Sequence, residues 1–268
     1  MITKNGQVLA MESIDVKNNT LRALPICKNE IPGTALYHIT VPAGEKFCLE
    51  RDEAHYNIFI LIEGKCKMIS GESCADFSER MTFVPAPECE MTLEARESVQ
   101  LLRIVWDITQ VDISLRAEYG TKFPVIIPYA QSIQYVDPNK SPKTISRMMI
   151  PHKIIPRFAI GSVESYGYDY VRPHAHPMLD QYFFSFPENC MSLIINGEHI
   201  PMMGNEVVHI PLGAEHGVEV TGTDHMHYMW IDFLPDNEAG LRRLNASHKP
   251  TGTVRDLEKE DKFRHNDK

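Results

Sequence analysis

One order of elements occurs twice along the chain. The first copy reads "VPAGEKF" (41–47), a strand pair around "EGK" (63–65), then "MTFVPAPECE" (81–90). The second reads "SYGYDYVRPHAH" (165–176), a strand pair around "NGE" (196–198), then "GNEVVHIPLGAEH" (204–216). Each is a strand, a loop, a hairpin with a glycine turn and a strand that runs into proline. A repeat of this size predicts two copies of one β-domain. The surrounding stretches, such as "TALYHITV", "HYNIFILIEG", "VQLLRIVWDI" and "MHYMWIDF", are short and rich in β-branched and aromatic residues. Many short strands with regular turn signals predict an all-β sandwich or barrel. Helix is expected only in "NEAGLRRLNASH", with a helical turn near "SPKTISRMM". A chain of 268 residues can bury two such cores. The expected divisions are 1–110 for the first β-domain, 111–145 for a connection, 146–240 for the second and 241–268 for a helical, then highly charged, tail.

Charge and cysteine usage narrow the function classes. A formal charge of −9 argues against general nucleic-acid binding, which depends on Lys and Arg neutralising phosphates. No apolar run approaches the length of a membrane span. The opening "MITKNGQVLAMESIDV" lacks the basic start and apolar stretch of a signal peptide. The six cysteines (Cys27, Cys48, Cys66, Cys74, Cys89 and Cys190) form no C-x-x-C pair and are expected as reduced thiols of a cytoplasmic protein. The expected partner is a small molecule, with neither nucleic acid nor membrane.

The stretch "VRPHAHPMLDQYFFSF" (171–186) carries the strongest chemical signal. Side chains two apart on a strand share a face, and the flanking prolines favour extension. His174 and His176 are therefore expected to point one way. Gln181 enters from the start of the next strand, and "PLGAEHG" supplies His216 after a tight turn. Three imidazoles and one oxygen donor suit a single divalent metal: Zn, Mn, Fe, Co or Ni.

H-x-H-x4-E/Q followed by P-x-G-x-x-H, here "HAHPMLDQ" and "PLGAEH", resembles the two signature motifs of the cupin superfamily. The resemblance implies two tandem cupin (jelly-roll) barrels, with the metal inside the second near one end. Cupins usually carry Glu where this chain has Gln181. The amide keeps an oxygen donor but removes a negative charge and a carboxylate base. The order "LERDEAHYNIFILIEG", "KTISRMMIPHKIIPRFAIGSVES", "HAHPMLDQYFFSFPENC", with Trp230 in the last barrel strand, resembles the two-cupin 5-keto-4-deoxyuronate isomerases. That family pairs a metal-binding second cupin with a degenerate first one. In the first half, Asn57 falls at the Glu/Gln position, Glu50 to Glu53 at the H-x-H positions and Glu90 at the last His, so none of the three histidines survives.

The resemblance implies a metal-dependent ketol-isomerase, or related tautomerase, acting on a sugar or sugar acid such as a ketodeoxyuronate, in a homo-oligomer of dimeric or higher order. Such a reaction needs a proton shuttle, which a glutamine cannot provide. The candidates are Glu164, which matches a Glu in the family's G-x-x-E stretch, and His227, Tyr228 and Asp232 on the last strand. His225 and His227 share one face of "HMHYMWIDF"; Tyr228, Trp230 and Asp232 share the other, and the sequence does not say which lines the barrel. Arg157, Arg172 and Lys153 are candidates to pair with a substrate carboxylate, or are solvated surface cations. Tyr168 and Tyr170 either line a sugar pocket or pack on a neighbouring subunit. Two rival functions use the same residues: an Fe(II) dioxygenase, and a non-catalytic sugar-binding or regulatory cupin.

Overall fold

The computed structural model describes residues 9–251. Most of the charged stretch expected as a tail, from residue 252 onward, lies outside the described residues. The described chain divides into two units, residues 14–129 and residues 130–251 together with 9–13.

The first unit holds two antiparallel sheets. One orders the strands Val125–Pro128, Met81–Val84, His55–Glu63, Val99–Asp107, Thr34–Val41 and Arg22–Ile26. The other orders Lys46–Leu49, Met91–Ala95, Cys66–Ser70 and Ser73–Phe77. Ile39, Phe59, Leu61, Phe83, Leu93 and Leu101 fill the space between them. The second unit repeats this connectivity. Its large sheet runs Met11–Ser13, Glu206–Ile210, Asp180–Ser185, His225–Phe233, Phe158–Tyr166, Ile145–Ile150, Ile133–Val136 and Lys249–Pro250. Its small sheet runs Asp169–His174, His216–Val220, Cys190–Ile195 and Glu198–Met203. The two-sheet, all-antiparallel order is a jelly roll in both units, so the repeat read in the sequence is a repeat of topology.

Three local expectations change. "SPKTISRMM" turns only at its start, where the Thr144 N–H donates to the Ser141 carbonyl at 3.2 Å; Ile145–Ile150 is a strand, hydrogen-bonded on both sides, and tertiary pairing outweighs its mixed local propensity. The stretch read as connection contains a helix, Gln110–Tyr119. Its signals were present: the Asp112 carboxylate accepts from the Thr109 N–H at 2.7 Å, and Gly120 closes the helix in the left-handed region at φ 65°. Residues 11–13, at the start of the first half, pair with Glu206–Val208 in the second unit. The C-terminal helix stands where expected, at Asn237–Ser247, capped by Asp236 accepting from the Ala239 N–H at 2.9 Å.

Among the described residues no helix is long and apolar enough to cross a membrane. All six cysteines are free thiols; Cys27 and Cys66 are buried, and burial pushes the Cys66 thiol up to about 12.

Phe158–Tyr166 and His225–Phe233 lie side by side in the middle of the large sheet, with Gly161 opposite Trp230. Both strands are buried on both faces, and their polar residues, Glu164, His227 and Asp232 among them, are buried with them. A Cβ at Gly161 would lie 2.1 Å from Trp230 Cζ2 and 2.6 Å from the Arg147 carbonyl oxygen. Gly161→Ala is therefore expected to displace the Trp230 ring and cost about 1–3 kcal/mol by overpacking. A thermal melt with tryptophan fluorescence checks this; an unchanged midpoint with unchanged emission would contradict the packing described.

Candidate metal centre

The histidine wall is built where the small sheet meets the end of the large one. Asp169–His174 pairs antiparallel with His216–Val220, placing His174 directly opposite His216. The strand ends at His174 and His176 follows it in a short loop, yet the three rings converge. Their centroids are 4.7 Å (174 to 176), 4.8 Å (174 to 216) and 5.3 Å (176 to 216) apart. One donor nitrogen from each lies within 4.8 Å of the others. Gln181, on Asp180–Ser185, lines the same cavity.

Hydrogen bonds fix which atoms face inward. The Nδ1–H of His174 donates to the Arg172 carbonyl at 2.7 Å, and that of His216 to the Ala214 carbonyl at 3.0 Å. Both rings therefore present a bare Nε2, the arrangement that orients imidazole ligands. The Gln181 Nε2 donates to Asp232 Oδ1 at 2.6 Å, which turns Oε1 into the cavity. His216 Nε2, His176 Nδ1 and Gln181 Oε1 are buried without a hydrogen-bond partner. Leaving such atoms unmet costs about 1–3 kcal/mol each. Burial, with neighbouring positive charge, pushes His176 down to about 2 and His216 down to about 4. Neutral imidazoles with lone pairs aimed at one point are what a divalent cation requires, so the donor set fits a metal.

The rest of the cavity wall comes from distant parts of the unit. Phe183, Tyr228, Trp230 and Asp232 line it from the large sheet, joined by Asp137, Lys140 and His248. The sequence reading missed these last three. Asp137 and Lys140 lie in "VDPNKSP", read as connection, and His248 follows the C-terminal helix. Lys140 Nζ donates to Tyr135 Oη at 2.5 Å, and Tyr135 Oη also accepts from Trp230 Nε1 at 2.8 Å. The His248 ring packs at a tilt 4.5 Å from the Tyr135 ring and stands 3.5 Å from Asp137. Burial lowers Lys140 to about 8 and raises Asp232 to about 7. No sequence signal marks Lys140 or His248, because their proximity depends on strands Ile133–Val136 and Lys249–Pro250 pairing across more than a hundred residues.

The other expected residues divide. Tyr228 and Asp232 line the cavity. Glu164 and His227 face the opposite side of the same sheet, where Glu164 lies 3.2 Å from His225. Burial would raise the Glu164 carboxyl, but the charges of His227 and His225 outweigh it and hold it at about 2. Arg157, Arg172, Lys153, Tyr168 and Tyr170 do not line the cavity. Arg172 and Lys153 are exposed, Tyr168 is 64% exposed, and Arg172 sits 5.9 Å over the Tyr170 ring.

The first unit treats the equivalent position differently. Asn57 Oδ1 accepts from Arg103 Nε at 2.9 Å and from Nη2 at 2.6 Å. Asn57 Nδ2 donates to Asp52 at 3.2 Å, and Asp52 also accepts from His55 at 2.8 Å. Here a guanidinium supplies the positive charge and both ends of the amide are satisfied. Glu50 and Glu90 are exposed, and no metal-competent cluster occurs in this unit among the described residues.

Paired jelly rolls with a histidine triad inside one of them define a protein with the cupin fold, two barrels in tandem. No family model matches the sequence, and no curated protein does. Solved structures do. A cupin 2 conserved barrel domain protein from Leptotrichia buccalis aligns with a TM-score of 0.59 at 14% identity, covering 87% of this chain and 100% of that one. An IolB-like protein from Salmonella typhimurium LT2 aligns at 0.62 and 12% identity, over 85% and 94%. Oxalate decarboxylase from Bacillus subtilis aligns at 0.61 and 12% identity, over 87% and 78%.

His176→Ala is expected to lose one metal equivalent relative to the unmodified chain, while Glu90→Ala in the first unit loses none. Asp232→Ala, which frees the Gln181 amide, is expected to weaken metal binding by about 10- to 100-fold. Elemental analysis after dialysis reads all three; full metal content in the His176 variant would remove the triad from the site.

Proposed function

We propose that the chain is a metal-dependent isomerase, a ketol-isomerase or related tautomerase, acting on a sugar or sugar acid such as a ketodeoxyuronate. The observation that carries this reading is the convergence of three neutral imidazoles and a neutral amide oxygen, beside a half-buried lysine, on one cavity. The similarity of the sequence to the two-cupin uronate isomerases supports the substrate class. A divalent ion in this donor set would supply Lewis acidity toward the oxygens of a bound ligand. All four donors are uncharged, so they leave the ion's full charge available to an oxygen-rich or anionic ligand.

The chain's own residues meet the remaining needs. Lys140 spends one N–H on Tyr135 Oη and keeps two donors, which suits a substrate carboxylate. Asp232, held near neutrality by burial, can accept and return a proton, the role that Gln181 lacks. Tyr228, on the same face two strand positions before Trp230, offers a hydroxyl to a sugar oxygen. Trp230 and Phe183 give the cavity its apolar wall.

The metal-loaded chain is to be screened by NMR in D2O against uronates, ketouronates and aldoses. Solvent deuterium should appear at the carbon beside a carbonyl, with equal turnover in the absence of oxygen. Turnover that requires O2 would replace the isomerase with a dioxygenase, and binding of a sugar acid without exchange would replace it with a binding protein. Lys140→Met should lower kcat/KM for an acidic substrate by roughly 10- to 100-fold, the loss expected for a hydrogen bond to a charged group. The same variant should act normally on a neutral aldose if one is a substrate.

A further inference from the structure

A second donor cluster lies across the sheet from the cavity. The central strands pair Glu164 with His227 and Tyr166 with His225. Alternation sends Tyr228, Trp230 and Asp232 into the barrel, so Glu164, His225 and His227 project from the other face. Glu164 Oε1 lies 3.2 Å from His225 Nε2 and 3.9 Å from His227 Nδ1. Glu188, in the turn after Asp180–Ser185, brings Oε1 to 2.6 Å from the same His227 nitrogen. One donor each from Glu164, His225 and His227 lies within 4.8 Å of the others.

These separations match coordination. Ligands at 2.0–2.1 Å from a tetrahedral ion lie about 3.3 Å from one another; the 3.2 and 3.9 Å separations bracket that edge, and the 2.6 Å contact of Glu188 with His227 would lengthen as the ion replaces the shared proton. The side chains of Glu164 and His227 are 3% and 2% exposed. Glu164 Oε2 is buried with no hydrogen-bond partner, an unmet carboxylate oxygen that a cation would satisfy. The donors are held in place: His225 stacks 3.9 Å from the Tyr166 ring, and the His227 backbone N–H donates to Asn189 at 2.8 Å. Glu188 and His225 keep 31% and 15% side-chain exposure, which leaves a way in from solvent. The two carboxylates, Glu164 and Glu188, would offset the charge of a divalent ion; Arg147 lies near Glu164 as a further positive charge.

We propose that Glu164, His225 and His227, completed by Glu188, form a second divalent-metal site of the Zn2+ type, separate from the barrel cavity. Two imidazoles and two carboxylates suit a borderline ion. The ion would replace the protons now shared among the four groups. It would tie the central strand pair to the turn at Glu188 and so stabilise the folded unit by mass action.

The test uses the full chain, stripped with chelator and titrated with Zn2+ by calorimetry and elemental analysis. The unmodified chain should bind about two ions, one at each cluster, and His174→Ala/His176→Ala about one. His225→Gln/Glu164→Gln should also bind about one, and all four substitutions together none. Circular dichroism and thermal melts confirm folding. Should the paired Glu164 variant fail to fold, His225→Gln alone, at the least buried donor, should weaken the second Zn2+ at least tenfold and abolish its stabilising effect on the melt. A single ion in the unmodified chain that is lost with His174 and His176 would overturn the proposal. So would a second ion that survives the His225 and Glu164 substitutions.

Discussion

The antiparallel pairing of Phe158–Tyr166 with His225–Phe233 governs most of what the second unit can do. It is in unbroken register over nine residue pairs, and Gly161 makes room in it for the Trp230 ring. The register assigns every side chain of both strands to one face or the other. A slip of one residue would exchange the faces. Asp232 would then leave Gln181, and the histidines at 225 and 227 would enter the barrel. The chemistry of both faces therefore hangs on one strand pair, and the packing of an indole over a glycine is part of what fixes it.

The two barrels answer one electrostatic problem in opposite ways. An amide that points into a barrel must find a partner for its oxygen or bear the cost of burial. In the first unit the guanidinium of Arg103 donates twice to Asn57, and the network closes through Asp52 and His55. In the second, Asp232 takes the amide nitrogen of Gln181 and nothing takes its oxygen. Three imidazoles face the same point, two of them pinned by backbone carbonyls. One barrel carries its cation covalently; the other is shaped to receive one. The pattern of satisfied and unmet atoms, rather than the fold, separates them.

Lys140 and His248 show how the cavity draws on the whole unit. Lys140 is anchored on Tyr135, which is bonded to Trp230. His248 reaches the same tyrosine ring from the end of the C-terminal helix. A loop that reads as a linker and a segment that reads as a tail thus close the cavity, because each carries a strand that joins the large sheet. Local pattern contains no trace of the His248 contact, since Ile133–Val136 and Lys249–Pro250 pair more than a hundred residues apart.

The sequence by itself determined a duplicated β-domain, through its twice-used order of strands and glycine turns, and the jelly roll followed from the resemblance of its histidine motifs to the cupins. It also determined the metal-ligand candidates, because H-x-H is a local relation and the turn before His216 sets that ring at a strand start. It showed that His225 and His227 share a face opposite to Tyr228 and Asp232. Only the tertiary structure decided which face is the barrel's. Periodicity along one strand separates two faces but cannot name them when both are buried; that choice is made by the neighbouring strands. The same step moved Glu164 and His227 out of the cavity, brought Lys140 and His248 to it, and left the cationic candidates Arg172 and Lys153 in solvent.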